Sequence, residues 1–271
     1  MNDIHLFDTD MFIHRLSSDA PVKNLAQRLF DENTPNAICS FSLVELKGNY
    51  VQCLILLRRK IIKSSNIAEA ANRIQSSGGR KTLLMFAQFF SLLCQKSIIT
   101  SKDKWDEMKN ILITLIDSNI EIVWHEFKNL TSTILDTICC TRSTEDPIDT
   151  DGDWHAAIPK CYSKNTSCKV DDFITQRIPL LKNFISYYDK LPEEERTDEL
   201  NKIRSTANSV ISNSKFNWQG SQCRRVGDLI IAIQSIDCIK LISSNRKEHS
   251  HLSNAFGYNF LHFNHSEVRS K

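Results

Sequence analysis

Short apolar runs alternate with helix-like segments along this chain, and that alternation is the strongest constraint on its fold. Runs of β type occur at 4–8, 37–40, 120–124, 238–243 and 258–263. Strands that alternate with helices favour a parallel sheet covered by helices on both faces. We therefore predict a three-layer α/β/α fold with a central parallel sheet and additional helices.

The composition changes along the chain and indicates an insertion. The 271 residues allow one large domain or two small ones. Residues 141–222 begin with a stretch of Asp, Gly, Pro, Ser and Thr that has little periodicity. We predict that 1–140 and 223–271 form the sheet domain, with a helical elaboration at about 55–118. Residues 141–222 are predicted to be an insertion, irregular at first and then helical.

Charge and cysteine content limit the cellular setting of the protein. The net charge of +2 makes no case for nucleic-acid binding by bulk electrostatics, so any basic surface must be local. The N-terminal residues do not form a signal peptide, and no apolar run reaches membrane-spanning length. Nine cysteines without a secretory signal fit a reducing compartment. We expect a cytoplasmic protein without a membrane partner.

Four acidic residues lie where predicted strands and helices meet. Asp8 follows the first strand, Glu45 the second and Glu248 the fourth, while Asp228 begins the helix before that fourth strand. The carboxyl ends of parallel strands form one edge of a sheet, where ligands bind. Carboxylates gathered there would repel one another, and hard oxygen ligands suit Mg²⁺ or Mn²⁺. The pattern predicts a divalent cation site.

Each acid also has a purely structural interpretation. Ser42-x-x-Glu45 and Asn245-x-x-Glu248 match the capping box at a helix start. Asp228 would lie in the first helical turn, where a negative charge is favourable. Asp8 could cap the helix that follows it. Only the shared sheet edge of the four acids favours a metal site over capping.

Three segments resemble motifs of the PIN-domain (PilT N-terminus) ribonucleases. They are FDTDMFI, CSFSLVELKGNY and VGDLIIAIQSIDCIKLISSNRKEH, at 7–13, 39–50 and 226–249. The resemblance implies a PIN-like fold whose metal ligands are Asp8, Glu45 and Asp228. It implies that Glu248 is a fourth, more variable catalytic acid.

The resemblance also assigns roles around those acids. Asp10, Ser244 and Asn245 would contact the metal ligands, rather than the metal, and hold them in position. His249 stands where the family often has an aromatic residue; it could contact substrate, although a lone histidine is more often a packing or surface residue. The implied activity is metal-dependent endonucleolytic hydrolysis of RNA, in which a Mg²⁺ or Mn²⁺ ion activates water. Implied partners are the RNA, an antitoxin-like protein inhibitor or another partner, and a second copy in a homodimer.

Basic residues flank the proposed acids and are the candidates for contacts to the RNA backbone. Phosphate contacts of this kind position a nucleic acid. The four candidates are Arg224, Arg225, Arg246 and Lys247.

Two other functions and a second metal compete with this interpretation. One alternative is a catalytically silent PIN scaffold that binds RNA or protein. Another is a haloacid-dehalogenase-like phosphatase in which Asp8 is the nucleophile and Asp10 the acid or base, although Met11 and Phe12 replace the Gly-Thr that follows the acids in that family. A structural Zn²⁺ would need close cysteine pairs. The spacing of the cysteines in 139–168 fits that requirement poorly, so we favour packing roles for Cys139, Cys140, Cys161 and Cys168.

Overall fold

The structure is a computed structural model whose described residues form two compact units. It describes residues 3–16, 19–77, 79–95, 104–129, 133–135, 148–150, 153–155, 169–213 and 227–264. The first unit comprises the described residues of Met1–Glu45, Asn129–Glu145 and Pro159–Lys271. The second comprises those of Leu46–Lys128 and Asp146–Ile158.

Five parallel strands form the sheet of the first unit. In chain order the described strands are β1 (His5–Phe7), β2 (Asn36–Cys39), β3 (Thr133–Leu135), β4 (Ile148–Thr150), β5 (Asp153–His155), β6 (Lys240–Ser243) and β7 (Phe260–His262). The order across the sheet is β3-β2-β1-β6-β7, and every pairing in it is parallel. The predicted α/β/α class with a central parallel sheet is confirmed.

Twelve α-helices are present among the described residues. They are α1 (Thr9–Arg15), α2 (Ala20–Glu32), α3 (Ser40–Glu45), α4 (Gln52–Ile62), α5 (Ile67–Ser77), α6 (Gly79–Gln95), α7 (Trp105–Asn129), α8 (Val170–Thr175), α9 (Ile178–Tyr188), α10 (Asp198–Ser212), α11 (Gly227–Ser235) and α12 (Arg246–Phe256). A π-helix, Leu46–Val51, continues directly from α3, and a 3₁₀ turn occupies Glu193–Glu195.

The middle residues of the central strands are apolar because both faces of the sheet are covered. Leu6 and Phe7 of β1, Ile38 of β2, and Leu241 and Ile242 of β6 are all completely buried. Strands of parallel sheets read as continuous apolar runs for this reason. The edge strands are more exposed, as Ile134 of β3 and Leu261 of β7 show.

Two predicted elements are wrong. Residues 120–124 were expected to form the third strand, but they lie inside α7, where Ile116, Ile120 and Val123 are buried and Ile122 is 51% exposed. The helical period therefore prevails over the β-branched composition of that run. The alternation of strands and helices also predicts a helix after that run, at 127–140, but α7 ends at Asn129 and residues 133–135 form β3.

The helices of 169–213 belong to the core of the first unit. Phe184 of α9 and Leu200 of α10 are fully buried in the same apolar cluster as Leu6, Ala37 and Leu241 of the sheet. This part of the predicted insertion 141–222 is therefore integral to the sheet unit, whereas the β4–β5 hairpin belongs to the other unit.

The second unit is built from α4, α5, α6, α7 and that hairpin. Arg58 of α4 donates two hydrogen bonds to the Asp117 carboxylate of α7, with its Nε 2.6 Å from Oδ1. Lys47 is completely buried and lies over the Trp124 ring, 4.8 Å from its centroid. Among the described helices, none has the length and apolar character needed to cross a membrane.

The burial of Phe184 yields a test of whether α9 is integral to the fold. Phe184→Ala is expected to lower the free energy of unfolding by about 3–5 kcal/mol, because it leaves a cavity in the sheet core. Urea unfolding followed by circular dichroism measures this change. The exposed Ser186→Ala on the same helix is the control, and equal stability of the two variants would contradict the assignment of α9 to the core.

Candidate metal centre

The candidate site lies where the strand order of the sheet changes direction. From β1 the chain places β2 and β3 towards one edge, whereas β6 and β7 lie on the other side of β1. Open α/β sheets bind ligands at such a switch point, beyond the carboxyl ends of the strands. The register aligns Phe7 with Ile242, so Asp8 and Ser243 follow at the same level.

Asp8 is at the centre of the site and is only 4% exposed. Its Oδ1 accepts a hydrogen bond from the Thr9 backbone N–H at 2.6 Å, which caps α1. Its Oδ2 accepts one from the Ser243 hydroxyl at 2.8 Å and lies 3.2 Å from His249 Nε2. Asp8 is therefore both a helix cap and the residue that joins β1 to β6 and α12.

His249 is completely buried among the acids. Its Nε2 is 3.2 Å from Asp8 Oδ2 and 3.9 Å from Asp228 Oδ1, and its Nδ1 is 3.2 Å from the Tyr258 hydroxyl. One ligand atom each from Asp8, Asp228 and His249 lies within 4.8 Å of the others. Within the described parts of the chain, this is the one His, Cys, Asp or Glu group close enough to share a metal ion.

Glu45 lies beside this group rather than in it. Its Oε2 accepts a hydrogen bond from the Thr9 hydroxyl at 2.8 Å. A Cβ at Gly227 would be 2.6 Å from Glu45 Oε1 and 2.5 Å from Phe41 Cε1, so only glycine fits at the start of α11. Asp228, the next residue, lies in the first turn of α11, as predicted.

Asp10 is held by the turn that follows β6. Its Oδ2 accepts hydrogen bonds from the Ser244 backbone N–H at 2.8 Å and from the Ser244 hydroxyl. Its Oδ1 is buried and has no hydrogen-bond partner. The Asn245 backbone N–H donates to the Ser243 hydroxyl at 2.9 Å. Asp10, Ser244 and Asn245 are thus hydrogen-bonded around the end of β6, next to Asp8, and their role in supporting metal ligands stays a prediction.

The remaining predicted residues are at the start of α12 or outside the described chain. Glu248 is only 6% exposed, and Arg246 and Lys247 are exposed. Arg224 and Arg225 lie outside the described residues, as do Cys139, Cys140, Cys161 and Cys168 of the disfavoured zinc site.

Both predicted capping boxes are wrong. Ser42 lies inside α3, its hydroxyl is buried without a hydrogen-bond partner, and Glu45 ends that helix. Asn245 precedes α12, but its side chain makes no capping hydrogen bond. The structural interpretations of Glu45 and Glu248 therefore fail, while Asp8 does cap α1.

Burial and mutual repulsion keep several of the acids protonated in the absence of a cation. Burial, aided by the charges of Asp228 and Asp8, raises the pKa of Glu45 to about 8. Burial and the Asp8 charge raise the pKa of Asp10 to about 7. Burial is also the main cause of the raised pKa of Asp228 and of Glu248. A carboxyl group in such surroundings is neutral unless a positive charge compensates it.

His249 supplies that positive charge to Asp8. Burial alone would lower the pKa of His249, but the hydrogen bond and charge of Asp8 and the charge of Asp228 raise it to about 9. Burial would raise the pKa of Asp8, but the hydrogen bond and charge of His249 and hydrogen bonds from Ser243 and Thr9 lower it. The two form a buried ion pair at neutral pH.

The donor set fits a divalent cation. Two carboxylates and one imidazole offer hard oxygen atoms and one nitrogen, which suit first-row divalent metals. The group is negatively charged once His249 loses its proton, and metal binding requires ligands in that state. The structure thus favours His249 over Glu45 as the third member of the group, beside Asp8 and Asp228.

Comparisons with known proteins identify no relative of this chain. No protein-family model matches the chain, and neither the curated proteins nor the solved structures include a match. The fold and the geometry of the site therefore carry the functional argument.

Sequence reasoning did not assign His249 to the metal group. It suggested a substrate contact or, more often, a packing or surface role, and the ring is indeed buried. The available signal was its spacing: His249 comes six residues after Ser243, in the second turn of the helix that follows β6. A residue there can point back to the end of the neighbouring strand β1.

The close approach of Gly227 to Glu45 is testable. Gly227→Ala is expected to destabilise the protein by about 1–3 kcal/mol, because the added methyl group overlaps Phe41 and Glu45. Urea unfolding measures the effect. Gly257→Asn is the control. The backbone at Gly257 is left-handed (φ 78°), a conformation that Asn tolerates, and a Cβ added there would have no neighbouring atom within 4 Å. If Gly227→Ala leaves the free energy of unfolding unchanged, the tight packing described for α11 is contradicted.

The raised pKa values predict that the metal-free protein loses stability as pH rises. Asp10, Glu45 and His249 hold protons in the folded state up to pKa values of about 7, 8 and 9, whereas the unfolded chain releases them earlier. Their stabilisation is complete below the unfolded pKa values and disappears as pH rises through the folded ones. With EDTA, the melting temperature should fall by more than about 5 °C between about pH 5 and pH 9.

Saturating Mn²⁺ should remove most of that fall, because the cation compensates the deprotonated acids. Glu45→Gln should flatten the metal-free profile, and the exposed control Glu32→Gln should leave it unchanged. A metal-free melting temperature that rises from mildly acidic to alkaline pH would contradict the assigned protonation states. Differential scanning calorimetry provides the measurement.

Proposed function

We propose that this protein is a metal-dependent hydrolase that cleaves phosphodiester bonds, with RNA as its substrate. One observation carries the proposal: Asp8, Asp228 and His249 converge within 4.8 Å at the switch point of a parallel sheet. Glu45, Asp10 and Glu248 surround that group, and such a concentration of buried acids is costly without a cation. A Mg²⁺ or Mn²⁺ ion bound there would lower the pKa of a water molecule and offset charge on the phosphate.

The residues of the site divide into ligands and proton carriers. Asp8 and Asp228 bind the cation, and Ser243 fixes the orientation of Asp8 through its hydrogen bond. Glu45, held by the Thr9 hydroxyl, is placed to accept a proton from an attacking water when a bound cation keeps its carboxylate ionised. Asp10, fixed by Ser244, keeps the end of β1 in place against the turn after β6.

The choice of RNA rests on the motif resemblance to PIN-domain ribonucleases and on exposed charge. Arg246 and Lys247 are exposed in the first turn of α12, directly before Glu248 and His249. Cations at this position can hold the phosphate backbone while the acids act on one linkage. An antitoxin-like inhibitor and a homodimer are further proposals that follow from the same resemblance.

A catalytically silent scaffold is the second candidate, and the His249–Asp8 ion pair favours it. A fully buried histidine with a pKa of about 9 balances part of the negative charge without a metal. In that case the protein would bind RNA or a protein partner without cleavage.

The phosphatase alternative has less support. Both oxygens of Asp8 accept hydrogen bonds, and Asp10 is bound by Ser244. These contacts hold the two acids in place, and Met11 and Phe12 stand where that family has Gly-Thr.

A cleavage assay separates the hydrolase from the scaffold. The wild-type protein with Mn²⁺ should cut single-stranded and structured RNAs, and EDTA should abolish the cutting. Combining Asp8→Asn with Asp228→Asn should reduce the rate at least about a hundredfold, because it removes two ligands. Asp31→Asn, an exposed carboxylate whose Oδ1 accepts from Gln27 at the end of α2, is the matched control.

Two results would contradict the hydrolase: no cleavage by the wild type with Mn²⁺, or equal cleavage by the double variant. Binding of the same RNAs without cleavage would support the scaffold. Acid-stable ³²P on Asp8 after incubation with a labelled phosphomonoester would instead support the phosphatase.

A further inference from the structure

His249 differs from the acids of the site in chemistry and in the completeness of its burial. Its ring is 0% exposed, and its Nε2 faces one oxygen of Asp8 at 3.2 Å and one of Asp228 at 3.9 Å. A histidine placed only for packing has no need to direct a ring nitrogen between two carboxylates. The ring nitrogen is therefore placed either to pair with these carboxylates as a cation or to share a metal ion with them.

The opposite side of the ring is fixed by Tyr258. The Tyr258 hydroxyl lies 3.3 Å from the His249 carbonyl oxygen, to which it donates, and 3.2 Å from Nδ1. Since the hydroxyl hydrogen is used on the carbonyl, the oxygen accepts from Nδ1–H. In the neutral ring this leaves the Nε2 lone pair directed at the carboxylates. Metal-binding histidines have their other ring nitrogen bonded to a partner in this way.

The two distances from His249 to the acids suit a coordination sphere. Two ligand atoms that each lie about 2.1 Å from a cation are about 3.0 Å apart at right angles and about 4.2 Å apart on opposite sides. The two distances from His249 Nε2, 3.2 Å and 3.9 Å, fall in that interval. Glu45 has one oxygen bound to Thr9 and is not part of the compact group.

We propose that His249 Nε2 is a direct ligand of the divalent cation held by Asp8 and Asp228, and that this nitrogen makes the centre prefer Mn²⁺ to Mg²⁺. The inference rests on the proposed metal-dependent function and names the cation that serves it. Mg²⁺ favours all-oxygen surroundings and gives up water reluctantly, whereas transition metals accept imidazole. A third carboxylate in place of His249 would remove that preference.

Electron spin echo spectroscopy of the Mn²⁺-loaded protein tests the ligand directly. The wild type should show the ¹⁴N modulation of a directly bound imidazole, and His249→Gln should lose it. The control is His251→Gln, because His251 lies on the same helix and bonds to the Tyr187 hydroxyl instead. That variant should keep the full modulation.

Calorimetric titration tests the preference. His249→Gln should weaken Mn²⁺ binding about 10–100-fold and change Mg²⁺ binding much less, so that the ratio of the two affinities falls. The wild-type spectrum decides the question without any variant, which protects the test from misfolding of His249→Gln. Tyr258→Phe gives a second check, and it should weaken Mn²⁺ binding while the nitrogen modulation persists.

The outcomes separate this inference from the proposed hydrolase activity. Mn²⁺ bound to the wild type without nitrogen modulation overturns the inference, even if RNA is cleaved. Nitrogen-bound Mn²⁺ in a protein that cleaves no RNA supports the inference and contradicts the hydrolase. Absence of any Mn²⁺ binding overturns both.

Discussion

The parallel pairing of β1 with β6 is the interaction on which the rest of the site depends. These strands are far apart in sequence, and their register places Asp8 beside Ser243 at one level of the sheet. The other two members of the metal group follow from that pairing. α12 leaves β6 and directs His249 back at Asp8, and the preceding helix α11 presents Asp228 to the same ring.

The charges of the clustered side chains then determine which protons or metal ion the site can hold. Asp8, Asp10, Glu45, Asp228 and Glu248 cannot all be ionised in one partly buried volume, so some keep protons and one pairs with His249. The same geometry can hold a proton on the imidazole or a metal ion beside it, but not both at one nitrogen. Metal binding and proton release are therefore linked at this site.

Sequence patterns were sufficient for the framework and for four of the five strands. Short apolar runs mark β1, β2 and β6 because these strands are covered on both faces of the sheet, and the aromatic-rich run at 258–263 marks the edge strand β7. The third strand was missed because 120–124 combines β-branched residues with a helical period, and burial at Ile116, Ile120 and Val123 decides in favour of the helix. The three residues of β3 are too short a signal to stand out.

The candidate site was only partly accessible from the sequence. The acids could be found because each stands at the end of a strand or at the start of a helix, a property local in sequence. The spacing of His249 after β6 was the only sequence signal for its role, because that role depends on how α12 is rotated against β1 and on Tyr258, which contacts the ring. The capping-box matches were also misleading: α3 begins at Ser40, so that Ser42 lies inside it, whereas Asn245 does stand at the start of α12 but its side chain makes no capping hydrogen bond.

The distance along the chain between the two halves of the site has a consequence for its biosynthesis. Asp8 and Ser243 are separated by 235 residues, so Asp8 leaves the ribosome long before its partner exists. During that interval β1 lacks its β6 neighbour, and neither Asp228 nor His249 is present. Closing so long a loop is a late event in folding. The nascent chain consequently carries no assembled cation site, and any activity of the site begins only after synthesis has passed α12.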